Sequence, residues 1–384
     1  MNDQLPPSAF QIVRPAYGKS SLADLLPSVS ALLGVPGGAD VLGLRAYLDG
    51  VQRIAVLVVD GLGSYQMPVL TPHAPIVGDL PCLTLTSGFP STTPVSLVTL
   101  GTGVTPGTHG ILGFTLRRPD GGILNHIQWD EDPDPREWQP VRTVFSLAAA
   151  NGVAVTAVTL PEFEGSGLTV AAHRGAAFAG SPDLSALSER MLTALSAEPG
   201  PALVYGYHPD LDRCGHADGV GSPAWISAAE DVGVLISRLV DGLPAGSALL
   251  VTADHGQINV PVEGRIDMGV VPALSAGVVA VAGEPRVRYL YAADGAVGDV
   301  VAAWRSAFGP SAWVMTREEV IDGGWFGPVP VGHAGRIGDV VVVCLERAVA
   351  LATGWEPAAV AGLVAFHGSV TAAEMTVPLL IARA

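Results

Sequence analysis

The sequence predicts an α/β protein: a central, mostly parallel sheet flanked by helices, carrying an inserted lid or subdomain. Three observations predict it. Short Val- and Leu-rich runs recur along the chain without clean apolar–polar alternation. Helical stretches stand between them. The chain has 384 residues, 49% of them apolar, enough for a large core. A strand covered by helices on both faces has no wet side, so its side chains need not alternate. Strand alternating with helix is the pattern of a sheet with helices on both sides.

The strand candidates are RIAVLVVD (53–60), AVTAVTL (154–160), ALVYGY (202–207), SALLVTAD (247–254) and DVVVVC (339–344). Helical stretches are TPVSLVTL (93–100), TVFSLAAANG (143–152), LSALSERMLTALSAE (184–198) and the run from Pro223 to Asp241. No internal repeat is evident. Residues 115–140 break the pattern with turns, charges and two tryptophans, and are expected to form an excursion near the site. Residues 262–335, with the strand-like RVRYLYA, are expected to form the inserted lid. The core is then 1–261 and 336–384.

Charge and composition exclude some functions. A net charge of −16 argues against a nucleic-acid duplex or an anionic membrane as partner, since both need a basic surface. Cys82, Cys214 and Cys344 are widely spaced and form no CxxC, which suggests free thiols in a reducing compartment. The first residues lack a basic patch followed by an apolar run, and no segment has 18 consecutive apolar residues. A cytoplasmic, monomeric chain acting on a small molecule is the expectation.

Ligands of open α/β sheets bind at the carboxyl ends of the strands. Two runs end in carboxylates, at Asp60 and at Asp254–His255. A third leads into HPDLDRCGHADG, with Asp210, Asp212, His216 and Asp218. One acidic residue at a strand end is ordinarily a helix or turn cap. Three sets at one edge, mixing carboxylate oxygen with imidazole nitrogen, suit zinc or manganese better than calcium or magnesium. The stretch FPSTTPVSLVTLGTG (89–103) places a row of hydroxyls before and along a helix. One of them suffices to cap the helix. Another, Thr92 or Thr93, can face an anion at the helix N-terminus and act as a nucleophile.

The motifs VVDGLG, FPSTTPVSLVTLGTGVTPGTHGILGF (89–114), DLDRCGHADG (210–219), VTADHG (251–256) and HGSVTAAEMTVPLL (367–380) resemble the type I phosphodiesterase/nucleotide pyrophosphatase branch of the alkaline phosphatase superfamily. They occur in order from about residue 53 to the end, and match least across 115–145 and 262–335. The resemblance implies an alkaline-phosphatase-like core with two divalent metal ions, Mn²⁺ or Zn²⁺. Asp60, Thr93, Asp254 and His255 would surround one metal, and Asp212, His216 and His367 would hold the other. Thr93 is the nucleophile because the family's stands three positions after the proline, here Pro90. Asp212 is chosen over Asp210 because the family's Asp precedes its His by four. His367 is chosen over His333 because the family's late His is followed by Gly and then by Glu-Met. His109 is expected to shape its loop, and His73, His126 and His173 to lie at the surface.

Many family members carry an asparagine soon after the HGI element, where this chain has Phe114; Asn125 is a candidate substitute. The sulfatase branch is excluded, because Cys82 is followed by Leu-Thr-Leu. Within the family the chain resembles the cytoplasmic actinobacterial members that hydrolyse nucleotide diesters, including cyclic di-AMP to linear pApA and AMP. The alternatives are a general nucleotide pyrophosphatase/phosphodiesterase, a phosphonate C–P hydrolase and a non-catalytic nucleotide-binding protein. Phe114, Tyr207 and Trp129 are the expected contacts to a base, with Trp138, Tyr205, Tyr289 and Tyr291 as further aromatics.

Overall fold

A computed structural model describes residues 5–129, 132–197 and 199–384. Seven strands form the central sheet, in the order Cys82–Thr86, Thr376–Arg383, Ser247–Thr252, Arg53–Val59, Ala202–His208, Ala154–Thr159, Ala177–Gly180. All run parallel except Thr376–Arg383, which is antiparallel to both of its neighbours. Arg53–Val59 lies at the centre, with Val56 opposite Tyr205 on one side and Leu250 on the other.

Consecutive strand residues point to opposite faces. A Cβ at Gly206 would meet Met191 of the helix Leu184–Ser196, whereas the neighbouring Tyr205 packs on Phe145 and His173. The sheet is therefore covered on both sides. One layer holds Leu184–Ser196 and Pro223–Gly242; the other holds Val144–Ala149, Gly167–His173, Leu22–Leu32 and Thr93–Thr102. Every residue of Thr93–Thr102 is buried, with Pro94 in its first turn and Gly103 ending it in the left-handed conformation.

DVVVVC forms a strand, Val340–Cys344, but not in the expected sheet. It is an inner strand of a separate antiparallel sheet ordered Val278–Glu284, Val287–Ala292, Val340–Cys344, Ala312–Thr316. Val341 and Val343 belong to the main core, while Val340, Val342 and Cys344 belong to a second core with Trp304 and Phe308. A strand between two cores is apolar on both faces, so its sequence cannot be told from that of a parallel strand. The excursion, apart from residues 130 and 131, which lie outside the described ones, includes the hairpin Thr115–Arg117/Ile123–Asn125, packed against Val278–Glu284.

Candidate metal centre

The parallel strands all end at one edge of the sheet, and the loops there converge. Asp60 follows Arg53–Val59, and Asp254 and His255 follow Ser247–Thr252. Asp212 and His216 lie four apart on the helix Asp210–Asp218, hence on one face. His367 comes to the same edge because Thr376–Arg383 runs the other way, so the segment preceding that strand lies where the others end.

Gly61 makes the convergence possible. Its φ is +75°, and a Cβ there would sit 3.1 Å from the Cβ of Asp212.

The hydroxyls of 89–103 divide their work. Ser91 Oγ donates to Ser369 O at 2.7 Å, and the Ser91 amide donates to Gly368 O at 2.9 Å, lacing this loop to the one that carries His367. Ser96 Oγ meets Ser87 Oγ at 2.8 Å. Thr99 Oγ1 meets His109 Nε2 at 2.9 Å, so His109 is a buried brace for its loop. Thr92 occupies the N-cap position without a side-chain cap bond. Thr93 Oγ1 points into the site, 3.1 Å from His255 Nε2.

The three site histidines share one orientation rule. Each places Nδ1 against a backbone carbonyl: His216 on Ala365 O at 2.8 Å, His367 on Ser91 O at 3.0 Å, His255 on Gly256 O at 3.2 Å. Donation from Nδ1–H leaves the lone pair on Nε2, and all three Nε2 atoms face the site. Nε2 of His216 and Nε2 of His367 are 3.1 Å apart, and the rings of His255 and His367 stack at 3.5 Å. Two lone pairs facing each other at that distance suit a shared cation.

The carboxylates are anchored by one oxygen each. Asp254 Oδ1 accepts from the amides of Gly61 (3.2 Å) and His255 (3.1 Å), leaving Oδ2 buried without a partner. Tyr207 OH donates to Asp60 Oδ2, leaving Asp60 Oδ1 buried without a hydrogen-bond donor. Asp212 Oδ1 accepts from Gln257 Nε2, and its Oδ2 lies 3.4 Å from His216 Nε2. Burial, reinforced by the charges of Asp254 and Asp212, pushes the Asp60 carboxyl well above its ordinary range; burial likewise raises Asp254. Burial, with His255 and His216 nearby, holds His367 well below its ordinary value. A buried site with orphaned carboxylate oxygens and converging imidazole nitrogens fits divalent cations, which would restore the missing solvation.

Among the described residues, two donor groups could hold an ion: Asp212, His216 and His367, and Asp60, Asp212 and His255, with all donor atoms of a group within 4.8 Å of one another. Asp212 reaches both. His255 Nε2 is 3.4 Å from Asp60 Oδ1 and equally far from Asp254 Oδ2. His333 lies elsewhere, with Nδ1 on Gly107 O at 2.9 Å.

Several expectations need correction. Trp129 does not face the site: it is buried beneath Gly167 and donates from Nε1 to Pro133 O at 2.8 Å. Trp138, Tyr289 and Tyr291 are also buried, their polar atoms bonded to His126, Leu112 and Arg336. His126 and His173 are interior residues rather than surface ones. His173 packs on Phe145 and Tyr205 of other elements, and His126 is enclosed within the excursion by Trp129, Trp138 and the Phe114 carbonyl. Phe114 and Tyr207 do line cavities at the site. Asn125 lines a cavity too, but its Oδ1 accepts from the Ile127 amide. Gln257 was not foreseen; a Cβ at Gly215 would meet its Oε1 at 1.8 Å, so the glycine in DLDRCGHADG was the available signal.

Known structures share the fold. Murine ectonucleotide pyrophosphatase/phosphodiesterase 5 superposes with a TM-score of 0.71 at 19% identity, over 87% of this chain and 88% of that one. An inactive threonine-to-alanine variant of the murine enzyme, in complex with AMP, superposes at 0.69 and 17% identity, over 86% of this chain and 88% of that one. Phosphonoacetate hydrolase from Sinorhizobium meliloti, in complex with phosphonoformate, superposes at 0.64 and 22% identity, over 88% and 91%. An uncharacterized pyrophosphatase/phosphodiesterase of Schizosaccharomyces pombe is 27% identical over 183 residues, which span 45% of this chain but only 37% of that protein. Residues 56–370 match the type I phosphodiesterase / nucleotide pyrophosphatase family, a group of divalent-metal enzymes, and the chain belongs to that family.

Proposed function

We propose that this chain hydrolyses nucleotide phosphodiesters, with Thr93 as nucleophile. Asp60, Thr93, Asp254 and His255 would surround one divalent metal, and Asp212, His216 and His367 would hold the other. The observation that carries the reading is the Thr93 hydroxyl. It stands at the start of a buried helix, 3.1 Å from His255 Nε2, in a cavity shared with Asp60, Asp212 and His367.

Divalent ions bound there lower the pKa of a hydroxyl and offset charge on phosphate oxygens. The chain's own groups do the rest. Tyr207, whose phenol burial keeps protonated, holds Asp60 so that Oδ1 faces inward. The helix beginning at Thr93 directs its positive end at the bound phosphate. Thr93 Oγ attacks phosphorus, the bond to the leaving oxygen breaks, and that oxygen takes up a proton. Water then hydrolyses the threonine ester and restores the hydroxyl. The inactive threonine-to-alanine variant of the murine neighbour supports a threonine in this role.

The proposed substrate is cyclic di-AMP, opened to linear pApA and cut on to AMP, with Phe114 and Tyr207 beside the bases. The segment 262–335, with the strand Val340–Cys344, is the proposed lid. Three unpaired, widely separated cysteines support action in a reducing cytoplasm. Among the described residues no helix is long and apolar enough to cross a membrane. A second reading, a phosphonate C–P hydrolase, has the Sinorhizobium enzyme as its fold neighbour. Incubation with Mn²⁺ or Zn²⁺ and a panel of nucleotide diesters, a chromogenic diester, its monoester and phosphonoacetate, with product analysis, tests both. Turnover of diesters with no release from the phosphonate is expected. Turnover of the phosphonate alone overturns the diesterase reading.

A further inference from the structure

Two cavities meet at the site. The first, about 330 Å³, is lined by Asp60, Thr93, Phe163, Leu168 and Tyr207. The second, about 430 Å³, is lined by Gln128, Val281, Glu284, Arg288, Trp355 and Val360. Each falls in the ~300–1,000 Å³ range of small-molecule sites. Phe114, His216, Leu363 and His367 line both and form the partition between them. Thr93 lines only the first.

In-line displacement at phosphorus places the entering and leaving oxygens on opposite sides. A phosphate at the partition, attacked by Thr93 from the first cavity, directs its leaving oxygen into the second. From this geometry we infer that the second cavity is a leaving-group site shaped for a nucleoside, so that the preferred substrate joins two nucleosides through the attacked phosphate. The inference rests on the phosphodiesterase reading above and adds which group leaves and where it goes.

The walls of the second cavity favour an uncharged aromatic group over pyrophosphate. Its guanidinium, Arg288, is already bonded to Glu356 and to Ala350 O at 2.7 Å, so it brings no free positive charge. Glu284 lines the cavity and is 5% exposed, and burial pushes its carboxyl up to about 8, so it adds no positive charge to the wall. Trp355 is 42% exposed at the same cavity, an indole face on which a base can stack. An anionic leaving group would meet two carboxyl groups there and no unpaired cation.

The test uses the full-length, metal-loaded protein and three substrates that transfer the same 5′-adenylyl group. These are the dinucleoside monophosphate ApA, whose leaving group is uncharged adenosine, ATP, and adenosine 5′-phosphorofluoridate, whose leaving fluoride is too small to reach the cavity walls. Wild-type kcat/KM is expected to be higher for ApA than for ATP. Trp355→Ala, and Val360→Trp as a cavity-filling change, should each lower the ratio of kcat/KM for ApA to that for the phosphorofluoridate about tenfold. Trp355→Phe should recover most of that ratio. An unchanged ratio in both variants overturns the leaving-group site, as does a preference for ATP. If the wild type cleaves none of the three, the phosphodiesterase reading itself falls, and the inference with it. Melting curves of the variants confirm that the fold is retained.

Discussion

Arg286 and Glu374 are fully buried and joined by two parallel hydrogen bonds, 2.9 Å from Nε to Oε1 and 2.6 Å from Nη2 to Oε2. Arg286 sits in the turn between Val278–Glu284 and Val287–Ala292, and Glu374 in the short helix before Thr376–Arg383. The pair therefore fastens the small sheet to the main one. Glu374 also accepts from the Ser369 amide at 2.9 Å and from Thr371 Oγ1 at 2.5 Å, which fixes the loop carrying His367. Arg286→Met leaves a buried, partly bonded carboxylate and should cost about 3–5 kcal/mol. Urea unfolding measures it. A double variant, Arg286→Met with Glu374→Leu, should recover part of that stability but not the position of His367, read as weaker metal binding.

Two metal ions per chain are expected by elemental analysis after titration with Mn²⁺ or Zn²⁺. The two donor groups share Asp212. Asp212→Asn should weaken both sites, while His367→Ala should weaken one and leave the other. Saturation at one ion in the wild type contradicts the two-metal arrangement.

Thr93→Ala should lower diester turnover by about a thousandfold or more, because it removes the attacking oxygen, while far-UV circular dichroism stays unchanged. Thr92→Ala should retain substantial activity, since that hydroxyl neither caps the helix nor faces His255. The reverse ranking would move the nucleophile by one residue.

Gly61→Ala forces a side chain into a left-handed backbone, at about 1–2 kcal/mol, and against Asp212 at 3.1 Å. Lower stability and reduced metal affinity should appear together. Loss of stability alone would show that Asp212 can yield without disturbing the donors.

His173 and His126 are buried, and burial holds them at about 3 and about 4. The unfolded chain protonates both near 6.5, so it binds more protons than the fold below that pH. Their contribution is fully present above about 6.5 and is lost as pH falls toward 4 and 3. His173 has no partner on either ring nitrogen, so His173→Phe loses no hydrogen bond. The stability of this variant relative to wild type should improve by about 2 kcal/mol from pH 7 to pH 5, measured on metal-free protein by urea unfolding. An unchanged difference would mean that His173 is protonated within the fold.

Much of the catalytic edge was legible from the chain. Strands buried on both faces announce themselves as unbroken Val and Leu runs, and a carboxylate closing such a run must emerge at the sheet edge. Asp60 and Asp254 follow from that local logic; Asp212 and His216, on the helix after the strand Ala202–His208, were singled out among their acidic neighbours by the family motif. Tertiary structure decided what local pattern does not encode. The strand 340–344 sits between two cores, and the same valines would serve a parallel sheet equally well. Trp129 looks like a free aromatic beside charged residues, yet it packs on Gly167, far off in sequence. His367 reaches the site because Thr376–Arg383 inserts antiparallel. The partition between the cavities exists because chain segments from 114 to 367 close on the same two histidines. Period and composition report which faces of an element are buried; which element does the burying is settled by long-range packing, where one apolar surface serves as well as another until the whole chain has closed.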